Sequence, residues 1–276
     1  MNKEYLHLTP DEWESLMPPS SSKSGWAFIN YVLNKEIVVQ QNSLQELNWR
    51  ISSPYIIGIA GSVAAGKTTF AQNLKANLEK EDRKVEIIST DSFLMSNAEL
   101  TAKDLMDQKG FPISINWNAL NNFLKNVKLG NTNIPYRLYS QERSDLVPDK
   151  VGILPQTDVL IVEGINILEL PTNNGEMPSD YVDYAIYLDS SETNLEAWYL
   201  ERYHRMLDLN RDNPDNFFYK WAHTDRQKAD EFAKEVWLNV NIKNLHEYIA
   251  PTKKRADMIV TKSFDHSISA IDLKQI

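Results

Sequence analysis

The chain has 276 residues with 29 basic and 38 acidic side chains, a formal net charge of −9 at neutral pH. This balance argues against a general nucleic-acid-binding surface, and the absence of cysteine excludes disulfides, thiolate metal sites and cysteine nucleophiles. No apolar run approaches the ~20 residues of a membrane span, and the N-terminus lacks a signal-peptide pattern, so we expect a cytoplasmic protein that does not bind membranes.

The first 53 residues predict helices and carry no recognisable chemistry. Thr9 followed by Pro10 is typical of a helix start, and residues 18–22 (PPSSS) predict a loop. Residues 26–50 predict a further helix, which ends at the Ser-Ser-Pro sequence before residue 55.

A phosphate-binding loop follows the first predicted strand, residues 55–60. Residues 61–69 (GSVAAGKTT) match the pattern G-x-x-x-x-G-K-[ST], and a helical pattern continues to about residue 80. Backbone N–H groups at such a helix start attract phosphate, Lys67 adds a positive charge, and the Thr68 hydroxyl can bind Mg²⁺. The predicted ligands are ATP and Mg²⁺, and the predicted nucleotide-binding residues are Gly61, Ser62, Val63, Ala64, Ala65, Gly66, Lys67, Thr68 and Thr69.

Two acidic residues follow further predicted strands. Asp91 comes just after the strand at residues 85–89, and Glu163 ends the apolar strand at residues 158–163. Ligands of open α/β sheets bind at the carboxyl ends of the strands. We therefore interpret Asp91 as the group that orients an acceptor hydroxyl and takes its proton, and Glu163 as a ligand of Mg²⁺ or its water shell. The alternatives are a turn-forming aspartate and a structural acid at a strand end.

Residues 95–150 form a long insertion between these strands. It contains a predicted helix at residues 118–127 and a polar, aromatic stretch at residues 135–140. Since long insertions of this kind commonly bind substrate, we expect an acceptor-binding region here, with Tyr139 as a potential contact.

The last third of the chain predicts a strand at residues 182–189, a helix at 191–210, a helix at 224–248 and a strand at 258–261. The first of these helices carries Tyr199, Arg202 and Arg205 on one side, where the arginines can close over a transferring phosphate as a lid. The alternative for both arginines is a solvated helix face. Tyr199 and Asn241 are further potential acceptor contacts, and His266 either supports a nucleotide base or lies on the surface.

Alternating strands and helices predict an α/β fold of the P-loop kinase type, with a mostly parallel sheet flanked by helices in a three-layer α/β/α arrangement. We expect an N-terminal helical extension at residues 1–53 and a kinase domain at residues 54–276, with the acceptor insertion at about 95–150 and the lid helix at about 191–210. A GTPase-type switch protein is one alternative, but residues 261–264 (TKSF) lack the aspartate of its [N/T]-K-x-D motif. An ATPase motor and a non-enzymatic P-loop protein are the others.

Several separated blocks of the chain share one family pattern. They are residues 57–69, 89–94, 109–112, 139–140, 147–149, 162–166, 198–202, 237–244, 251–252, 255–256 and 261–263. Together they cover about residues 54–270 and resemble the bacterial type I pantothenate kinases. Uridine kinase and phosphoribulokinase share the general layout and are the nearest alternative.

The resemblance implies ATP-dependent phosphorylation of pantothenate, the first step of coenzyme A biosynthesis, in a cytoplasmic homodimer. It assigns phosphate and Mg²⁺ binding to Lys67 and Thr68, the catalytic base to Asp91 and stabilisation of the transferred phosphoryl group to Arg202. It also implies pantothenate contacts for Tyr139, Tyr199 and Asn241, and a place beside adenine for His266.

Two substitutions depart from the family pattern. Gln141 stands where the family has a histidine that serves the acceptor and coenzyme A pocket. Gln72 stands where the family has a basic residue that helps hold coenzyme A as a feedback inhibitor. The segment before Pro54 is also shorter than in familiar members. We therefore expect coenzyme A to inhibit this protein weakly.

Overall fold

The computed structural model describes residues 4–46, 53–169 and 175–275. In this part of the chain a seven-stranded sheet forms the centre of the molecule, and a separate two-stranded hairpin lies beside it. The strands are β1 (Tyr5–Leu8), β2 (Tyr55–Gly61), β3 (Val85–Ser89), β4 (Ile134–Ser140), β5 (Asp145–Leu154), β6 (Val159–Glu163), β7 (Tyr184–Asp189), β8 (Met258–Lys262) and β9 (Ile268–Lys274).

The large sheet has the order β1-β9-β8-β7-β2-β6-β3, and its five strands from β8 to β3 are parallel. The central strands β2 and β6 are buried along their whole length, as expected for parallel strands covered on both faces. The prediction of a mostly parallel sheet flanked by helices is therefore confirmed.

The helices in the described residues are α1 (Pro10–Leu16), α2 (Gly25–Glu46), α3 (Lys67–Glu79), α4 (Asn97–Ala102), α5 (Trp117–Lys128), α6 (Glu192–Leu209), α7 (Tyr219–Ala222) and α8 (Arg226–Val236). They follow several of the strands, most directly α3 after β2 and α6 after β7, as the sequence predicts. Residues 47–50 of the helix predicted at 26–50 lie outside the described residues. No helix in the described ranges is long and apolar enough to cross a membrane.

Helix α3 fixes the phosphate-binding loop to the core. Its buried side chains Phe70, Ala71, Leu74 and Leu78 recur at helical spacing and face β2, β3 and β6. The Phe70 ring also lies 4.6 Å from that of Trp26 on α2. Because strand β2 and helix α3 are both anchored in this core, the loop between them has fixed ends.

The helix predicted at 224–248 is not uniform. After α8 the chain continues through two π-helical segments, Trp237–Ile242 and Leu245–Ile249, each of which widens the helical turn. Single π-helical turns occur often at functional sites, because they shift the direction of the side chains that follow. The first segment carries Asn241, Asn244 lies between the two segments, and both asparagines are buried.

The sequence did not predict β1, β9 or the β4–β5 hairpin. β9 follows β8 through a tight turn in which His266 has a φ of 66°, and it pairs antiparallel with both β8 and β1. The pairing of β1 joins the N-terminal residues to the kinase sheet. The division of the chain at residue 53 remains a prediction.

Candidate active site

Two glycines shape the loop at residues 61–69. Gly61 has a φ of 145°, and a Cβ there would lie 2.6 Å from the carbonyl oxygen of Leu188 on β7. Gly66 has a φ of 82° and precedes the first residue of α3. Any other residue would be strained at both positions, so the glycines of the motif are needed for the path of the loop itself.

Lys67 and Thr68 begin α3 and point into the cleft above the sheet. The Lys67 ammonium donates to the carbonyl oxygens of Ser62, at 2.8 Å, and Gly61, at 3.1 Å. Burial lowers the pKa of Lys67, although the neighbouring carboxylates Glu163 and Asp91 act in the opposite direction. The ammonium is thus held at the loop by weak carbonyl partners that a phosphate group can replace.

Glu163 and Asp91 lie at the carboxyl ends of neighbouring strands. In the sheet register Glu163 stands between Ile59 of β2 and Ser89 of β3, and Asp91 follows β3 in a short 3₁₀ turn, Thr90–Phe93. The Thr68 hydroxyl donates to Glu163 Oε1 at 3.0 Å. Burial raises the pKa of both carboxyl groups, and the charge of Lys67 partly offsets this effect.

Gly164 allows these two strand ends to approach each other. A Cβ at this position would lie 1.8 Å from Thr90 Oγ1 and 2.7 Å from Thr90 Cβ. Thr90 is itself buried and directly precedes Asp91, while Glu163 directly precedes Gly164. The distance between the Asp91 and Glu163 carboxylates therefore depends on position 164 being a glycine, which has no side chain.

The β4–β5 hairpin brings its turn to Asp91. The side-chain amide of Gln141 donates to Asp91 Oδ2 at 3.0 Å and lowers the pKa of that carboxyl group, against the larger effect of burial. Burial raises the pKa of the nearby Tyr139 phenol to about 12, so the hydroxyl stays protonated. Lys109 lies beside them, where its ammonium donates to the Asn97 side chain at 2.6 Å and to the Ser144 carbonyl.

Helix α6 and the π-helical segment form the opposite wall. Tyr199, Arg202 and Arg205 all face the cleft, as their spacing predicts. The Asn241 side chain lies close enough to the Tyr199 phenol to lower its pKa, against the larger effect of burial, and the Tyr199 ring lies 5.3 Å from that of Trp237. The positive charge of Arg202 acts on the Asp91 carboxylate, which places the arginine near the candidate base.

His266 lines the cleft and is exposed to solvent. Its imidazole stacks on the indole of Trp198 with ring centroids 4.2 Å apart. The Lys262 ammonium lies 5.3 Å from the same indole and donates to the Ala65 carbonyl at 3.1 Å. Burial and the charge of Lys262 lower the pKa of His266, which favours the neutral ring.

One cleft of about 950 Å³ collects most of the predicted site residues. Its lining includes Val63, Ala64, Gly66, Lys67, Thr68, Thr69, Asp91, Tyr139, Gln141, Glu163, Tyr199, Arg202, Asn241 and His266. The other loop residues, Gly61, Ser62 and Ala65, lie behind it, and the first two accept hydrogen bonds from Lys67.

No individual role followed from the sequence for three residues at or beside this cleft. Lys109 lines the cleft from the insertion at residues 95–150. Lys262, at the end of β8, flanks it through the hydrogen bond to Ala65. Phe217 lines the cleft with 47% of its surface exposed. The helical spacing of Phe217, Phe218 and Trp221 is typical of an apolar stripe that packs on a core. Phe218 and Trp221 do pack on a small apolar cluster, separate from the main core, whereas Phe217 faces the cleft. The buried members of this cluster are Tyr203, Leu207, Ala222, Ala229 and Ala233. For Lys262 the sequence did contain a usable signal, since this lysine stands at the carboxyl end of β8, where ligands of parallel sheets bind.

Comparisons with known proteins agree with this arrangement. Residues 56–205 match the model of the family described as "Phosphoribulokinase / Uridine kinase family". A pantothenate kinase from Levilactobacillus brevis is 45% identical over 224 residues, which are 80% of this chain and 73% of the relative. One from Latilactobacillus sakei is 39% identical over 249 residues, 90% of this chain and 80% of the relative.

A solved structure has a similar fold. The D-glycerate 3-kinase from Cryptococcus neoformans var. grubii superimposes with a TM-score of 0.63 over 89% of this chain and 99% of that protein, at 13% identity. At this identity the likeness extends to the fold alone.

Proposed function

We propose that this chain, which belongs to the phosphoribulokinase/uridine kinase family and to the pantothenate kinases, transfers the terminal phosphoryl group of ATP to a hydroxyl of pantothenate. The product is 4′-phosphopantothenate, and the step begins coenzyme A biosynthesis. The observation that carries the proposal is the meeting of the Lys67 loop, the Asp91 carboxylate and the Tyr199–Asn241 pair in one cleft.

The phosphate-binding loop holds the nucleotide. The N–H groups of residues 61–69 and the N-terminus of α3 surround the phosphates, and Lys67 exchanges the carbonyls of Gly61 and Ser62 for phosphate oxygens. His266, stacked on Trp198, offers a flat ring in the cleft for the adenine.

Thr68 and Glu163 fit a Mg²⁺ ion. Their side-chain oxygens are already hydrogen-bonded at 3.0 Å, so both can turn to one cation. Mg²⁺ commonly binds one or two carboxylates together with nucleotide phosphates, and no cluster of three or more acidic or histidine ligands occurs in the described residues. When bound, Mg²⁺ neutralises charge on the phosphates during transfer.

Asp91 orients the acceptor hydroxyl and accepts its proton as the new P–O bond forms. Burial raises the pKa of Asp91 above the ordinary aspartate value, which makes its carboxylate a better proton acceptor, while Lys67 and Gln141 favour the charged form. Arg202 faces the same space and stabilises the negative charge of the transferring phosphoryl group. ADP then leaves with the electron pair of the broken bond.

The acceptor binds between the hairpin and helix α6. Tyr139 and Tyr199 supply hydroxyl groups, and the Asn241 amide supplies both a donor and an acceptor. These neutral groups suit the hydroxyl, amide and carboxylate of pantothenate.

A coupled ADP-release assay with pantothenate, uridine and ribulose 5-phosphate tests the proposal. We expect saturable turnover with pantothenate and none above background with the other two. Turnover with uridine or ribulose 5-phosphate but not pantothenate would overturn the acceptor assignment while keeping the kinase chemistry.

Coenzyme A is a weak feedback inhibitor in this proposal. Gln72 is exposed on α3, five positions after Lys67, and its neutral amide lacks the charge that strengthens hydrogen bonds to phosphate. Gln72→Arg should therefore increase inhibition by coenzyme A. ATP-competitive inhibition of the unmodified protein at submillimolar coenzyme A would contradict this part.

We also expect a cytoplasmic homodimer, on the basis of the family resemblance. Analytical ultracentrifugation tests the oligomeric state, and a monomer at micromolar concentration would contradict it.

A further inference from the structure

A second cavity, of about 710 Å³, lies between α5 and β4. None of its lining residues lines the cleft around Lys67 and Asp91. Its volume is within the range of roughly 300–1,000 Å³ that is usual for small-molecule sites. Nothing in the proposed kinase reaction uses this cavity.

Several hydrogen-bonding groups of this cavity have no protein partner. Ser92 is only 6% exposed and lines the cavity, yet its hydroxyl makes no hydrogen bond within the described ranges. The side chains of Asn122, Thr132 and Asn133, which also line it, make none there either. The Ser92 hydroxyl and the three exposed side chains are therefore available to a ligand in the cavity.

The cavity offers little charge with which to bind a strongly ionic ligand. Among its lining residues Arg137 is the one charged side chain, and it already pairs with Glu99 at 3.2 Å. The inner wall is apolar, because the buried rings of Phe93 and Phe123 lie there with centroids 5.3 Å apart. The cavity thus combines amide and hydroxyl groups with an apolar wall.

We propose that this cavity binds a small neutral sugar or a similar polyhydroxylated ring. Each sugar hydroxyl both donates and accepts, and the free amides of Asn122 and Asn133 and the hydroxyls of Ser92 and Thr132 do the same. The C–H groups of a sugar ring pack against apolar side chains such as Phe93 and Phe123.

Ligand binding in this cavity also reaches the catalytic cleft. The turn Thr90–Phe93 presents Asp91 to the cleft and Ser92 to the cavity. Strand β4 also borders both sites, because its Tyr136 lines the cavity and its Tyr139 lines the cleft. A sugar that draws Ser92 towards it therefore shifts the Asp91 carboxylate and changes turnover.

Saturation-transfer NMR with glucose, N-acetylglucosamine and myo-inositol tests the binding site in the absence of ATP and pantothenate. Ala119→Trp fills the cavity from α5, and Asn118→Trp is the matched control, since Asn118 is exposed on the same helix but does not line the cavity. We expect at least one probe to bind the wild type and the control variant, and not Ala119→Trp.

Three results would overturn the proposal: no binding of any of these probes, equal binding to Ala119→Trp, or binding of phosphate or citrate in their place. Ser92→Ala should weaken binding of the probe and abolish the effect of the probe on turnover. Circular dichroism checks that this variant still folds. Since the binding measurement contains no kinase substrate, failure of the proposed function leaves its result unchanged.

Discussion

Gly164→Ala is the substitution that most sharply tests how the two carboxylates are held. The added Cβ would lie 1.8 Å from Thr90 Oγ1, whereas ordinary contacts of a Cβ are 3.4–4 Å, so the two segments must separate by on the order of 1 Å. Overpacking of this kind costs about 1–3 kcal/mol of stability. A displacement of about 1 Å in catalytic groups can cost about 10²-fold in rate, so we expect kcat to fall by about that factor.

The assay is steady-state ADP release with pantothenate, together with thermal unfolding. Gly25→Ala is the control, because its Cβ meets the Ile268 side chain at 3.0 Å, away from the cleft. It should lower stability and leave kcat unchanged. Thr90→Gly removes all three atoms that the new Cβ meets, so Gly164→Ala should cost much less in that background. A folded Gly164→Ala protein with wild-type kcat would refute the reasoning.

Three further predictions concern the cleft. Lys67→Ala should abolish turnover, because the phosphates lose their buried cation; near-normal kcat would contradict the role of the loop. Asp91→Ala should lower kcat by about 10²–10⁴ while ATP binding, measured by calorimetry, is retained; unchanged turnover would remove Asp91 from its role. Gln141→Leu removes a hydrogen bond that lowers the Asp91 pKa, so that pKa rises further and the acidic limb of the kcat/KM profile moves to higher pH; a limb that stays or moves to lower pH would contradict the contact.

The parallel strands could be predicted because their signals are local. Residues 55–60 and 158–163 are continuous apolar runs, and the loop motif between strand and helix defines the position of Lys67. The placement of Asp91 and Glu163 followed from one rule, that ligands gather at the carboxyl ends of parallel strands.

The strands that the sequence did not predict depend on pairing that a short stretch of sequence does not reveal. β1 has four residues and is held by β9, some 265 positions along the chain, so no short window of sequence reports it. The hairpin of β4 and β5 contains a register shift after Arg137 and two prolines, which weaken its alternating pattern.

Contacts between side chains also could not be predicted from the sequence. Gln141 stands by resemblance in the acceptor pocket, and its direct hydrogen bond to Asp91 is a contact that the sequence did not predict. The close approach of Gly164 to Thr90 and the position of Lys262 over Trp198 each join residues more than 60 positions apart. No periodicity of the sequence encodes such pairs, because they form only when distant segments of the chain fold together.

Phosphorus NMR of a reaction containing the protein, Mg²⁺, ATP and pantothenate tests phosphoryl transfer most directly. We predict one new phosphomonoester signal, coupled to the methylene protons beside the acceptor oxygen of pantothenate, in equal amount to the ADP formed. With Asp91→Ala both signals should grow more slowly by the same factor. ADP and inorganic phosphate without a pantothenate ester, or no ADP at all, would contradict the assignment of this cleft as a pantothenate kinase site.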